Sequence, residues 1–148
     1  MRFFPSKWYD RNDECGKQGM IMTYVFIGSG GIVGSLLRYL ISILNEFYFM
    51  QDVFPFGTLV ANLTGAFLIG IFTRTFTENE KVNRTLVLSI GTGAIGSYTT
   101  MSTLSTETIR LIDHGEMILA VLYIVISLIG GLAASWFGYF HTYRKVRI

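Results

Sequence analysis

Charge is what this sequence has least of. Of 148 residues only 15% are Asp, Glu, Lys or Arg, while 51% are hydrophobic, and the mean hydropathy is +0.46. A soluble domain carries about a quarter charged residues, and each of its surface helices needs a polar stripe. Here only Arg38 and the Glu107/Arg110 pair interrupt the apolar runs, which argues against a water-soluble bundle. The single cysteine, Cys15, can make no intramolecular disulfide and has no metal-ligand companions. The two histidines, His114 and His141, fall at the ends of apolar runs, and no nucleophile–base pair is spaced for chemistry, so an enzyme is not expected. A GSGGIVG stretch at Gly28–Gly34 looks superficially like a dinucleotide loop. It lies inside an apolar run with no strand before it and no acidic partner, which discounts it.

What is present is a set of long hydrophobic windows: Tyr24 to Leu44, Phe56 to Phe72, Leu86 to Tyr98 continuing past a polar stretch to Ile112, and Met117 to Phe140. A helix needs about 20 such residues to cross the hydrocarbon. The expectation is therefore an all-α membrane protein with four transmembrane helices. The connections, Asn45 to Pro55, Thr73 to Asn83 and Asp113 to Glu116, are short. Residues 1–22 are polar and mixed in charge, without the apolar core of a signal peptide. They are expected to be a leader, disordered or upstream of a true start at Met20 or Met22, and 23–148 to form one four-span unit. Four short spans enclose little, so a second subunit is expected.

Basic residues set the expected orientation. Four precede the first span (Arg2, Lys7, Arg11, Lys17), three separate the second and third (Arg74, Lys81, Arg84) and three follow the fourth (Arg144, Lys145, Arg147). All ten fall on one face, against Arg38 and Arg110 at most on the other. The positive-inside rule then puts both termini in the cytoplasm of a plasma-membrane protein, in a single topology.

Against this background the segment GAIGSYTTMSTLSTE, Gly93 to Glu107, stands out. It holds three Ser, four Thr, two Gly and a Glu in an apolar neighbourhood. Non-helical backbone within a bilayer survives only against protein or a watery cavity. Gly91, Gly93 and Gly96, followed by Ser97, Thr99 and Thr100, are expected to break the third helix near mid-membrane and to expose carbonyls and helix ends to an ion. Small-residue packing would explain the glycines alone, but not so many hydroxyls. Asn62, inside GTLVANLTGAFLIG, reads equally well as glue between helices and as an N–H donor to a passing anion. Tyr123 and Ser127 share a helix face, with Gly131 next on it.

Three stretches together carry a resemblance: GGIVGSLLRY (Gly30 to Tyr39), GTLVANLTGAFLIG (Gly57 to Gly70) and GAIGSYTTMSTLSTE (Gly93 to Glu107). In order and spacing the chain, from about Thr23 onward, resembles the CrcB/Fluc fluoride channel family. The resemblance implies an antiparallel dimer with two narrow pores and passive, selective fluoride export that lowers cytoplasmic fluoride. Carried over by position, it implies Asn62 as the pore asparagine and a polar track including Ser102, Thr103, Tyr123 and Ser127. It also implies a structural Na+ at the subunit interface, on backbone carbonyls of Gly96 and Thr99. Arg38 matches the first motif, although snorkelling to the interface explains it as well. Glu107 matches an acidic position, with a helix-end hydrogen bond as the other reading.

The chain departs from the family pattern where the family has two phenylalanines, whose electropositive ring edges suit an anion. Here those positions are Met101 and Leu104. An antiparallel homodimer also needs balanced insertion, which the charge bias opposes. The expectation is a heterodimer with a paralogue of opposite topology that supplies the rings. Two rivals stand beside it: a non-conducting structural or assembly subunit, and a small multidrug-resistance-type transporter. The latter needs a membrane-embedded carboxylate in its first span, and Tyr24 to Leu44 has none.

Overall fold

The computed structural model describes residues 14–48, 54–77 and 83–146. Residues 1–13, the connection 49–53, the segment 78–82 and the last two residues lie outside the described set, and with them most of the expected leader. Helix α1 spans Glu14–Tyr48 and so begins within the segment expected to be leader. Helix α2 spans Phe56–Phe72 and winds on through a π-helical turn, Thr73–Thr77, where a loop was expected. Helix α3 covers 84–98, α4 is Met101–Asp113 and α5 is Met117–Val146. Three stretches are long and apolar enough to cross a membrane: Gly19–Asn45, Phe56–Phe76 and Met117–His141. The expected third crossing is made of two shorter pieces, α3 and α4.

The position of the break corrects the sequence reading. Gly91 and Gly93 do not interrupt the helix; they lie in a π-helical run, Ser89–Ile95, and Gly96 continues it in α geometry to Tyr98. The chain leaves helical geometry at Thr99 (φ −82°, ψ 154°) and Thr100 (φ −147°, ψ 122°). Glycine makes a helix easier to deform, and the close packing of Gly93 against the carbonyl of Ile27 holds this one in place. Threonine prefers the N-cap, where its oxygen satisfies an orphan N–H. Thr100 does this for α4 by accepting from the Thr103 N–H at 3.2 Å.

The elements pair α1 with α3 and α2 with α5. Both pairs depend on backbone approaching backbone: a Cβ at Gly34 would collide with the carbonyl of Ala94, and one at Gly70 with that of Ser135. At one end α4 tucks between α2 and α5 over a small core of Leu59, Leu104, Leu111, Ala120 and Tyr123, with Phe54, Leu63 and Leu119 against it. The turn from α4 to α5 closes by donation from the Gly115 N–H to Ile112 (2.9 Å) and from the Glu116 N–H to Leu111 (2.8 Å). That pairing requires a left-handed residue, and Gly115 takes it at φ 81°. Elsewhere large apolar side chains such as Leu36, Leu40, Ile129 and Leu132 are exposed, as lipid-facing surface is.

Candidate functional site

The site is organised by what the break leaves unsatisfied. Where α3 ends and α4 begins, the Thr99 N–H still donates to the Ile95 carbonyl at 3.3 Å, but the Thr100 N–H, at the N-cap of α4, has no intrahelical acceptor. In hydrocarbon such orphans cost several kcal/mol unless paired. Asn62, on the facing side of α2, pairs Thr100 in both senses. Its Oδ1 accepts from the Thr100 N–H at 2.8 Å, and its Nδ2 donates to the Thr100 carbonyl at 3.0 Å. One amide thus mimics a peptide strand across the gap. Its Oδ1 and one N–H are engaged, and the amide's second N–H is left for another acceptor.

Around that joint the hydroxyls form several small groups. Thr100 Oγ1 lies 3.1 Å from Ser102 Oγ and 3.0 Å from Thr103 Oγ1. Thr64 Oγ1 lies 2.8 Å from Tyr98 Oη and donates to the Val60 carbonyl at 2.7 Å. Thr99 Oγ1 reaches back to the carbonyls of Gly96 (3.3 Å) and Ile95 (3.5 Å). Hydroxyls of this kind can switch between donating and accepting by rotation, which suits a path along which an anion is handed from donor to donor.

A cleft of about 370 Å³ opens beside the joint, walled by α2, α3, α4 and α5. Of the residues expected at the site, it brings together Asn62, Gly96, Thr99, Met101, Leu104 and Ser127. Ser102 and Thr103 stand one turn behind, linked through Thr100. Met101 is 68% exposed, whereas Leu104 is 8% exposed and shared with the core, so the two positions are not equivalent. Tyr123 is fully buried, and its hydroxyl donates to Glu107 Oε2 at 2.7 Å. Arg38 lies half-buried on α1, and no wall of the cleft includes it.

Glu107 lines a second cavity. Its Oε1 accepts from Thr58 Oγ1 at 2.8 Å and its Oε2 from Tyr123, so both oxygens are held. That cavity, of about 550 Å³, is lined by Asn45, Phe54, Arg110, His114 and Glu116 among others. Leu104 and Glu107, one turn apart on α4, therefore face different cavities. Through these two bonds Glu107 ties α4 to the first turn of α2 and to α5.

Sequence reasoning missed Thr58, and it placed Thr100 in the break without its capping role. The signal for Thr100 was present, since a Thr three residues ahead of another hydrogen-bonding residue at the start of a helix is an N-cap pattern. For Thr58 there was none: its partner is 49 residues away.

The cleft, the broken third crossing and the hydroxyl set can be compared with known proteins. A family model described as CrcB-like protein, Camphor Resistance (CrcB), matches residues 25–139. The protein called Fluoride-specific ion channel FluC 1 in Bacillus cereus (strain ATCC 10987 / NRS 248) is 41% identical over 119 residues, 80% of this chain and 85% of that one. Fluoride-specific ion channel FluC 2 of Geobacillus kaustophilus (strain HTA426) is 42% identical over 118 residues, covering 80% and 91%. Fluoride-specific ion channel FluC 1 of Staphylococcus aureus (strain NCTC 8325 / PS 47) is 44% identical over 117 residues, covering 79% and 93%.

Proposed function

Because the chain belongs to the CrcB family of fluoride channels, we propose that it is a multi-pass membrane subunit whose cleft forms one side of a fluoride-selective pore. Passive efflux through that pore lowers cytoplasmic fluoride. The observation that carries this reading beyond the family match is the Asn62–Thr100 joint, which pairs the peptide group at a helix break beside a mainly apolar cleft that Thr99, Thr100 and Ser127 also line. Fluoride leaves water only where several donors replace its hydration shell. Neutral hydroxyl and amide N–H groups do so without trapping it, as a bare cation would. Asn62 supplies its remaining N–H, and Ser102, Thr103 and Ser127 supply hydroxyls. Glu107 holds Thr58 and Tyr123 in place where the path meets the cavity containing Arg110.

The arrangement of subunits is part of the proposal. A cleft walled by one chain and open on one side calls for a second subunit to close it, in antiparallel orientation. With ten basic residues on the N- and C-terminal face, this chain holds both termini cytoplasmic, and a paralogue of opposite topology supplies the other half. That paralogue brings the aromatic ring edges that Met101 and Leu104 lack. A resident Na+ is consistent with the donor set at the break. Carbonyls at the C-terminal end of α3 carry the negative end of the helix dipole, and unwound backbone at a helix break is a familiar Na+ ligand. Gly96 and Thr99, both on the cleft, would hold the ion through their carbonyls, and the ion would fix the two subunits against each other.

The test is fluoride efflux from liposomes containing this chain alone and with the paralogue. Efflux only with the paralogue supports the heterodimer. Efflux from the chain alone keeps the channel and refutes the need for a second kind of subunit. Silence in both supports the rival reading as a non-conducting assembly subunit.

A further inference from the structure

Helices α2 and α5 touch where a Cβ at Gly138 would collide with the Phe67 carbonyl. Beside that contact lies a groove of about 540 Å³, walled by Leu63 and Phe67 of α2 and by Ala133, Ala134, Trp136 and Phe137 of α5. It shares no lining residue with the cleft at the helix break. The Phe67 and Phe137 rings stack with centres 6.4 Å apart, and Trp136 and Phe137 are exposed. The one hydroxyl in the wall, that of Thr64, is engaged with the Val60 carbonyl and Tyr98. Lipid covers any apolar groove on a membrane-crossing helix, so the groove alone selects nothing. What distinguishes this one is the charge at its end. On α2 the stripe of Phe67 continues at one-turn spacing through Ile71 to Arg74, and on α5 that of Phe137 continues through His141 to Arg144. The contacts Leu63–Gly130, Phe67–Gly138 and Arg74–Tyr139 advance together along both helices, so the two stripes reach the same end. There the Arg74 guanidinium lies 5.5 Å from the centre of the Tyr139 ring, within cation–π range, and the Phe137 and His141 rings are 6.0 Å apart. The apolar spans stop at Phe76 and His141, where hydrocarbon gives way to headgroups. Helix α5 carries Arg144 and Lys145 and no acidic residue. Helix dipoles favour cations at both C-termini, but they do not place an apolar groove behind them.

We propose that the groove between α2 and α5 binds one anionic phospholipid: an acyl chain lies against Phe67, Trp136 and Phe137, and the phosphate meets the basic end formed by Arg74 and His141, with Arg144 and Lys145 adding charge. The inference rests on the membrane setting and not on the passage of fluoride. Seven residues of helix separate Phe67 from Arg74, about 10 Å along the axis at 1.5 Å per residue. The headgroup layer on one side of a bilayer is roughly 5–8 Å thick, so one lipid can reach from the groove to the basic end. Arginine offers a phosphate a planar fork of N–H donors. A zwitterionic lipid brings the same phosphate but adds an ammonium to an end that is already basic, so net headgroup charge decides between the two. Basic pockets between membrane helices are suited to anionic headgroups, and Trp136 and Tyr139 are of the types that settle at the membrane–water interface. Ala133 and Ala134 keep the floor of the groove open, and a larger side chain there would occupy the place of the acyl chain.

The experiment follows thermal unfolding of the assembled full chain in detergent as phosphatidylglycerol, or phosphatidylcholine with the same acyl chains, is added. A lipid that binds the folded state raises the melting temperature saturably. Phosphatidylglycerol should do so at a several-fold lower mole fraction than phosphatidylcholine, and glycerol phosphate without acyl chains should do nothing. Arg74→Gln should weaken the phosphatidylglycerol response about fivefold, the scale for one basic residue near an anionic membrane surface. The pair Arg144→Gln and Lys145→Gln should weaken it at least as much. Ala133→Leu fills the groove at an exposed position and leaves every charge in place; it should melt like wild type without lipid and respond less to both lipids. Equal wild-type responses to the two lipids would overturn the proposal, as would an unchanged phosphatidylglycerol response in Arg74→Gln or in Ala133→Leu. Cross-linking reads subunit association in the same samples, and separation of the subunits by Ala133→Leu would make the groove an inter-subunit contact and overturn the proposal too. Fluoride efflux does not enter the readout, so failure of the channel reading would leave this result standing.

Discussion

Replacing Asn62 with Ala removes both halves of the joint with Thr100 and leaves the break itself untouched in sequence. Thr100 is 7% exposed, so water does not substitute freely. Its carbonyl keeps a partner, because an N-cap carbonyl accepts the first intrahelical bond of the helix that follows. Its N–H keeps none, and an orphaned buried donor costs about 1–3 kcal/mol. The lost amide-to-carbonyl bond adds roughly 0.6–1.7 kcal/mol on the scale of polar contacts inside membrane proteins. Together the change is about 1.6–4.7 kcal/mol against the ordered break, roughly 15- to 3,000-fold in its equilibrium with a disordered one. Asn62→Asp separates the two halves. A carboxylate still accepts from the Thr100 N–H but faces the Thr100 carbonyl with no donor, so Asp should recover only part of the loss. Fluoride efflux from liposomes and thermal unfolding in detergent are the assays. Asn62→Ala should lower both, and Asn62→Asp should fall between Ala and wild type in unfolding. If Asn62→Ala matched wild type in both measurements, the joint would not hold the break and the reasoning would fail.

Other outcomes follow from the same geometry. Tyr123→Phe removes a hydroxyl that donates to Glu107 and should destabilise the chain by about 1.5–3 kcal/mol, the range for bonds to charged groups. Glu107→Gln, which keeps one oxygen for the Thr58 or Tyr123 hydroxyl, should be milder than Glu107→Ala in the same unfolding assay. Met101→Phe falls on an exposed site and should leave stability unchanged, whereas Leu104→Phe enlarges a buried residue and should cost about 1–3 kcal/mol. Equal melting of the two variants would refute that distinction. Exchanging Na+ for a large organic cation should lower the melting temperature of the assembled protein if the carbonyls of Gly96 and Thr99 hold the ion.

Much was legible in the chain by itself, and the reason is that those features are local. A membrane-crossing helix is announced by its own run of apolar residues, so α1, α2 and α5 follow from composition and length. The Met101/Leu104 departure needs only position to be seen. The density of hydroxyls between Gly93 and Glu107 likewise signalled a break in the third crossing. The expected segment included Thr99 and Thr100, where the chain does leave the helix; that its glycines would stay helical was not legible. Glycine weakens a helix wherever it occurs, but whether it bends, widens or ends the helix depends on what packs against it. Here α1 grips Gly93 and keeps it in a π-helical run, and the chain parts one turn later, where Thr100 can cap α4 and Asn62 can receive its peptide group. Asn62 and Thr100 are 38 residues apart, Thr58 and Glu107 are 49 apart, and no periodicity encodes such pairings. They are decided by the height at which α2 settles along α5 and by the wedge of α4 between them. Tertiary structure therefore determined that Asn62 closes the gap in the backbone, that Glu107 ties α4 to α2 and α5, and that Leu104 is core while Met101 is not.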